Sequence, residues 1–167
     1  MPLLIDGYNL LNAIGVEPVA HGPTPLFRAR QGLLHYLGNA LDEKTRHAAT
    51  LVFDAAGAPP GLPREFKTHG MRVVFAREFP QADALIEEMI ESHSAPRSLL
   101  VVSSDHRLHR AARRRGAKAM DSEDWLRSLR RRQQRTPHSR PEKPTVPLSE
   151  EESAYWTAQF TTDREGR

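Results

Sequence analysis

Four aspartates stand where the chain leaves an apolar run or enters a helix, and together they have the chemistry of a metal site. Asp6 ends "LLID", Asp54 ends "LVFD", Asp105 follows "LVVSS" and Asp83 lies near the start of "ADALIEE". Each acid alone has a structural explanation as a helix cap, a helix-dipole partner or a turn residue. Converging carboxylates, however, raise one another's pKa, and a hard divalent cation relieves that repulsion. With no cysteine in the chain, the predicted ion is Mg²⁺ or Mn²⁺ rather than zinc.

Polar side chains near these acids are candidates for orienting water or a phosphate. Asn9 lies three residues after Asp6, and Ser103 and Ser104 directly precede Asp105. Glu87 lies one helical turn after Asp83, and we interpret it as a solvent-facing residue. The eight histidines are scattered, so we do not expect a histidine-based zinc site. A carboxylate-bound ion that activates water and stabilises a leaving oxygen is typical of phosphodiester hydrolysis.

The alternation of apolar runs with helical patterns predicts the elements that position these acids. Short runs without polar alternation, typical of strands covered on both faces, occupy Leu3–Ile5, Ala49–Phe53, Val73–Ala76 and Leu99–Val102. A further short strand is predicted at Lys118–Met120. Helical periodicity covers residues 26–41, 81–92, 105–115 and 122–132. The apolar stripe of the first helix comprises Phe27, Leu33, Leu34, Leu37 and Leu41. The pattern predicts an α/β fold with a parallel sheet, whose carboxyl edge gathers the four aspartates.

Charge is unevenly distributed along the chain. Residues 1–105 carry 9 basic and 12 acidic side chains, residues 106–143 carry 13 and 4, and residues 144–167 carry 2 and 5. A basic stretch behind an acidic domain indicates a polyanionic partner, because phosphate contacts release counterions. The RNA-binding candidates are Arg107, Arg110, Arg114, Arg127, Arg130, Arg131 and Arg132. For the first three, stabilising a helix C-terminus is an equally weighted role.

The length of 167 residues suits one domain with extensions. We predict a catalytic domain over residues 1–132, a Pro-rich linker over 133–147, and a short helix and tail over 148–167. That helix carries a capping box and three aromatic residues, so we expect it to dock on its own domain, a second copy or another protein. No apolar run is long enough to span a bilayer, and we expect a cytoplasmic protein without a membrane partner.

The ordered set "LIDGYNLL", "LVFDAAG", "ADALIEE" and "VVSSD" resembles the YacP-like branch of the NYN domains, within the PIN-like nuclease superfamily. The resemblance covers about residues 2–130 and is not carried to the linker or tail. It implies a PIN-like three-layer fold, a parallel sheet of four or five strands flanked by helices, and metal-dependent RNA cleavage. A bacterial ribosome-associated endoribonuclease is among the relatives.

Carried over by position, the resemblance makes Asp6, Asp54, Asp83 and Asp105 the acidic residues of the family and Asn9 the amide of its first motif. Ser104 corresponds to the small hydroxyl residue before the last aspartate. One departure follows Asp54, where Ala55 stands in place of the histidine of some relatives. We therefore expect a metal-dependent endoribonuclease in which Asp6, Asp54, Asp83, Asp105 and Asn9 are catalytic.

Two other function classes remain open from the residues. A non-catalytic RNA- or ribosome-binding module would explain the basic stretch, but it gains nothing from acids that face phosphates. A phosphatase with Asp6 as nucleophile would need a second aspartate two residues later and a nearby lysine. Position 8 is a tyrosine, which argues against that class, and no G-x-G-x-x-G follows the first strand to indicate dinucleotide binding.

Overall fold

The structure is a computed structural model, which describes residues 1–15, 23–55, 63–79 and 81–135. Its strands are β1 (Leu3–Asp6), β2 (Ala49–Asp54), β3 (Glu65–Thr68), β4 (Met71–Ala76), β5 (Leu100–Val102) and β6 (Lys118–Met120). Its helices are α1 (Gly7–Ile14), α2 (Pro23–Ala40), α3 (Glu43–His47), α4 (Ala82–Ser92), α5 (His106–Arg114) and α6 (Ser122–Arg135), and a 3₁₀ turn spans Pro96–Ser98.

The strands form one sheet in the order β3-β4-β2-β1-β5-β6. All neighbours pair in parallel except β3, which pairs antiparallel with β4 at the sheet edge. Five strands are therefore parallel, as predicted, and the α/β class is confirmed, while the antiparallel edge strand β3 is an addition to the prediction. The turn between β3 and β4 contains His69 and Gly70 at φ 49° and 82°. Positive φ at both central residues is the signature of the type I′ turn that suits two-residue hairpins.

Apolar side chains pack on both faces of the sheet, which makes the fold three-layered. Because side chains alternate along a strand, Leu3 and Ile5 face a cluster built with α1, α2 and α6, whereas Leu4 faces the cluster built with α4 and α5. The inner strands β1, β2 and β4 are almost fully buried. Their carboxyl ends lie at one edge of the sheet, so this core fixes where Asp6 and Asp54 emerge.

The predicted α2 stripe was wrong at one position. Phe27 is 40% exposed, while Arg30, three residues later, is only 3% exposed. The Arg30 guanidinium lies 5.2 Å from the centroid of the Phe75 ring, a cation–π arrangement that lets an arginine occupy a buried position. Helices α1 and α3 and strand β3 were not predicted, because they are short, with eight, five and four residues.

The chain divides into two compact units, Met1–Arg135 and Thr136–Arg167. Helix α6 continues to Arg135, three residues beyond the predicted domain end. The predicted linker over 133–147 lies almost entirely outside the described residues, as does the whole predicted segment 148–167, and both stay predictions. Among the described helices, none combines the length and the hydropathy needed to cross a membrane.

Candidate active site

The turn from β1 into α1 is built by the "DGYN" motif. Asp6 is the N-cap of α1, and its Oδ1 accepts a hydrogen bond from the Asn9 backbone amide at 3.1 Å. A Cβ at Gly7 would lie 2.3 Å from the Phe53 ring, so only glycine leaves room for the buried phenylalanine. The motif thus holds the Asp6 carboxylate at the sheet edge through a cap and a close backbone approach.

Tyr8 joins this turn to a buried arginine. Its ring packs edge-on against Phe53 with centroids 5.3 Å apart, and its hydroxyl accepts a hydrogen bond from Arg30 Nη1 at 3.5 Å. Burial raises the pKa of the Tyr8 hydroxyl, Arg30 opposes this, and Asp54 adds to it. Tyr8 and Arg30 were not predicted as site residues from the sequence, where the one feature that points to Tyr8 is its position inside the "DGYN" motif.

The Asn9 side chain connects three segments. Its Oδ1 accepts hydrogen bonds from the Ser104 backbone amide at 2.8 Å and from Ser122 Oγ at 3.0 Å. The Ser122 amide in turn donates to Ser104 Oγ at 3.3 Å, and Ser122 is fully buried at the start of α6. The side-chain oxygen of Asn9 is therefore occupied by hydrogen bonds within the protein. This leaves its side-chain nitrogen, Nδ2, as the group available to a water or phosphate.

Ser103 links the first and last of the predicted acids. Its buried hydroxyl donates to Asp6 Oδ2 at 3.1 Å and accepts from the Asp105 backbone amide at 3.1 Å. Asp105 is the N-cap of α5, since its Oδ1 accepts from the Arg107 amide at 2.7 Å. The structure therefore makes Ser103 a support for two of the acids.

The remaining two acids lie on either side of the α4 N-terminus. Asp54 Oδ1 accepts a hydrogen bond from the Ala82 backbone amide, which ties the end of β2 to the first residue of α4. Asp83 follows at the second position of α4, where burial raises its pKa and the nearby Asp105 carboxyl raises it further. All four predicted acids thus belong to one electrostatically linked group at the carboxyl edge of the sheet.

The pKa values of Asp6 and Asp83 are raised within this group of carboxylates. Burial raises the pKa of Asp6 to about 6, against the hydrogen bonds from Asn9 and Ser103, and the charges of Asp83 and Asp54 raise it further. Burial likewise raises the pKa of Asp83, followed by the effects of Asp105 and Asp54, while Arg107 lowers it. Two acids are therefore harder to ionise than usual, as expected for carboxylates that lack a cation between them.

The chemistry of these donors fits a divalent cation. Asp6, Asp54, Asp83 and Asp105 supply only carboxylate oxygens, and none of them belongs to any ion pair between described residues. Within those same residues, no three acids or histidines stand close enough to form a ready-made metal group. The four acids are therefore candidate ligands by their chemistry and shared edge rather than by an existing coordination geometry.

Several predicted RNA-binding arginines are held in ion pairs. Arg107 forms a bidentate pair with Glu87, through Nε at 2.8 Å and Nη2 at 2.7 Å, so the Glu87 carboxylate is taken up by this pair. Arg114 pairs with Glu91, and Arg127 pairs with Asp124 within α6. Among the predicted RNA-binding arginines, Arg110, Arg130 and Arg131 are exposed and form no ion pair with any described residue. Arg132 is also exposed on α6.

The sequence matches a family described as the YacP-like NYN domain over residues 3–162. This match extends beyond the resemblance over residues 2–130 and includes the linker and most of the tail. The fold is similar to the crystal structure of Rae1 (YacP) from Bacillus subtilis, with 24% identity, a TM-score of 0.62, and coverage of 98% of this chain and 95% of that chain. For a mutant of the same protein the identity is 24%, the TM-score 0.59, and the coverage 81% and 79%. No curated protein matches the sequence.

Proposed function

The chain belongs to the YacP-like NYN domain family, a family of nucleases, and from this premise we propose that it is a metal-dependent endoribonuclease that hydrolyses RNA phosphodiester bonds. The observation that carries the proposal is the linked group of four carboxylates at the sheet edge, with the pKa of Asp6 raised to about 6. None of these acids forms an ion pair with any of the described arginines, which favours an external cation as their partner.

We propose that Asp6, Asp54, Asp83 and Asp105 hold Mg²⁺ or Mn²⁺ when the enzyme is loaded. The ion would lower the pKa of a bound water and offset charge on the phosphate. The protein's own contribution is to hold the acids in place, through Ser103 for Asp6 and Asp105 and through the Ala82 amide for Asp54. Asn9 supports the α1–α6 junction with its carbonyl and offers its amide nitrogen to water or substrate.

We propose that RNA runs along the arginine-rich side of α6. A groove of about 370 Å³ lies between α1 and α6, and its lining includes Arg127, Arg130 and Arg131. A second groove of about 410 Å³ along the same helix is lined by Arg127, Arg131 and Arg132 among others. Because phosphate contacts dominate non-specific nucleic-acid binding, affinity along this surface should fall steeply with salt. The family resemblance further favours messenger RNA at the ribosome, in the cytoplasm, as the setting.

A direct cleavage assay tests the nuclease proposal. Structured and single-stranded RNAs are incubated with the full chain in EDTA, Mg²⁺ or Mn²⁺, alongside Asp6→Asn and Asp105→Asn. We expect cleavage only with metal and a loss on the order of 10³-fold in either variant, because each ligand lost removes several kcal/mol of charge stabilisation. Asp42→Asn is the matched control, because Asp42 also caps a helix but lies outside the acid group.

A non-catalytic RNA-binding module is the second candidate, and one observation favours it. No three acids within the described residues already stand close enough to form a metal group. Under that alternative, RNA binding persists in EDTA, no condition yields cleavage, and Asp6→Asn changes nothing. Full cleavage by Asp6→Asn would remove the assignment of Asp6 to the metal site.

A further inference from the structure

Three successive pairs of charged side chains lie along the interface between α4 and α5, which we call the seam. Asp83, Glu87 and Glu91 lie four residues apart, so they share one stripe of α4. Glu87 forms an ion pair with Arg107 and Glu91 forms one with Arg114, whereas Asp83 is close enough to Asp105 to interact with it electrostatically. The pair closest to the sheet edge thus consists of two acids, and the next pair along α4 contains the cation Arg107.

Arg107 is connected to the acid group both through the chain and through its charge. It lies two residues after Asp105, and its backbone amide donates to that carboxylate at 2.7 Å. The charges of Asp83 and Asp105 favour its protonated form, behind the stronger effect of Glu87. Its backbone is therefore tied to one of the candidate metal ligands, and its guanidinium lies within electrostatic range of Asp83 and Asp105.

The Glu87 carboxylate holds this guanidinium in one orientation. The bidentate pair uses Nε and Nη2, and leaves the Nη1 donors on the side that Glu87 does not occupy. The arginine side chain is 52% exposed, so a ligand can reach it. A planar guanidinium with donors left over matches the geometry of a phosphate group better than a lysine would.

We propose that Arg107 binds the RNA phosphate next to the acid group, and that Glu87 is the positioning residue that aims its guanidinium there. The proposal rests on the nuclease function above and specifies how that site tolerates a polyanion. A phosphate facing four carboxylates is repelled by them, and one arginine fixed at their rim offsets part of this repulsion. Glu87 acts through Arg107 and is not a metal ligand.

The β3–β4 hairpin offers a matched control pair. Arg72 is bound by Glu65 in the same bidentate manner, at 2.6 Å through Nε and 2.7 Å through Nη2. Its side chain is 43% exposed, similar to that of Arg107. Because Arg72 is the second residue of β4, it lies toward the amino edge of the sheet, opposite the acid group. A general effect of losing a surface arginine should therefore be the same at both sites.

The first experiment measures binding of a fluorescently labelled single-stranded RNA to the full chain in EDTA, across a range of salt. We expect Arg107→Ala to weaken binding about tenfold, the usual loss for one charge-assisted phosphate contact, and to lower the salt slope by about one. Arg72→Ala should change binding less than twofold, and Arg107→Lys should restore part of the affinity. Equal effects of Arg107→Ala and Arg72→Ala would overturn the proposal.

The second experiment separates positioning from simple structural support. Glu87→Gln and Glu65→Gln each remove one carboxylate from an equivalent surface pair, so their melting temperatures should shift alike. We expect only Glu87→Gln to raise KM for RNA cleavage, by about threefold, and an unchanged KM would overturn its positioning role. If the wild-type chain cleaves no RNA, the nuclease proposal fails, whereas the binding comparison in EDTA still decides the role of Arg107.

Discussion

Acidic side chains have different partners at the two ends of the seam between α4 and α5. Farther along α4, Glu87 and Glu91 are each paired with an arginine of α5. At the sheet edge, burial raises the pKa of Asp83 and the nearby Asp105 carboxyl raises it further. The arginines of α5 thus pair with the glutamates of α4 that lie away from the edge. The acids at the carboxyl edge form no ion pair with any described residue, and these are the ones we assign to an external ion.

Two helix-capping aspartates show the same contrast. Asp42 caps α3 and accepts hydrogen bonds from Thr45, which lower the pKa of its exposed carboxyl. Asp6 caps α1 in a similar way, yet burial raises its pKa to about 6. Capping alone does not require burial, so the burial of Asp6 reflects its place in the site rather than its role in the helix.

The largest stability effect is expected from Asp6→Asn in EDTA. The folded-state pKa of Asp6 is about 6 and the unfolded value is 3.8, so the folded form binds the proton more tightly. The free energy of unfolding of the wild-type chain therefore falls as pH rises from about 4 to 6, by about 3 kcal/mol in total. The amide of the Asp6→Asn variant does not ionise and avoids that loss. The variant should therefore be more stable than wild type by about this amount at pH 8 and nearly equal to it below pH 4.

Asp42→Ala should change the free energy of unfolding in the opposite direction at high pH. Because the folded-state pKa of Asp42 is lowered, its contribution is present above pH 3.8 and is lost on acidification through the folded-state value. The variant should lose about 1 kcal/mol at pH 8, the usual value of an N-cap. Chemical denaturation at pH 3, 5 and 8 measures both variants, and a destabilised Asp6→Asn at pH 8 would contradict the contrast.

Gly7→Ala tests the close approach that places Asp6. A methyl group at this position would meet the Phe53 ring at 2.3 Å, so the ring or the β1–α1 turn must move. We expect a loss of about 1–3 kcal/mol in the free energy of unfolding, as for other overpacked cores. Gly32, where an added Cβ meets no atom within 4 Å, is the control. Equal stability of Gly7→Ala and wild type would show that the turn relaxes freely.

The smallest effect is expected at the paired end of the seam. Glu91→Gln removes the carboxylate that pairs with Arg114, and both side chains are well exposed. Exposed ion pairs contribute about 0.2–1 kcal/mol, so stability should change within that range and metal-dependent cleavage should be retained. A loss of cleavage comparable to that of Asp105→Asn would show that the functional region extends further along α4 than we propose.

The sequence was informative where the fold follows from local patterns. Asp6, Asp54 and Asp105 each end or follow an apolar run, and the geometry of parallel strands then gathers them at one edge. Strand β3 could not be predicted in this way, because only Phe66 and Thr68 are partly buried. Among the described strands it pairs with β4 alone, across the two-residue turn that contains His69 and Gly70.

Side-chain partners were beyond what spacing can show. Arg30 has the spacing of the apolar stripe of α2, but its charge argued against burial, which depends on Tyr8 and Phe75. The pairing of Glu87 with Arg107 joins residues 20 positions apart on two helices. Neither contact has a local signal, since both arise from how the layers pack on the sheet. The sequence therefore predicted which acids meet at the carboxyl edge of the sheet, but not which residues hold or neutralise their neighbours.

The most direct test of the central claim is a thermal melt with and without Mn²⁺ for wild type, Asp83→Asn and Glu91→Gln, paired with calorimetric titration. If the acid group binds the ion, Mn²⁺ at about 100 times its dissociation constant should stabilise wild type and Glu91→Gln by about 2.7 kcal/mol. Asp83→Asn should lose most of that stabilisation and most of the binding heat. No Mn²⁺ binding by wild type, or equal binding by Asp83→Asn, would contradict the assignment of these acids to a metal.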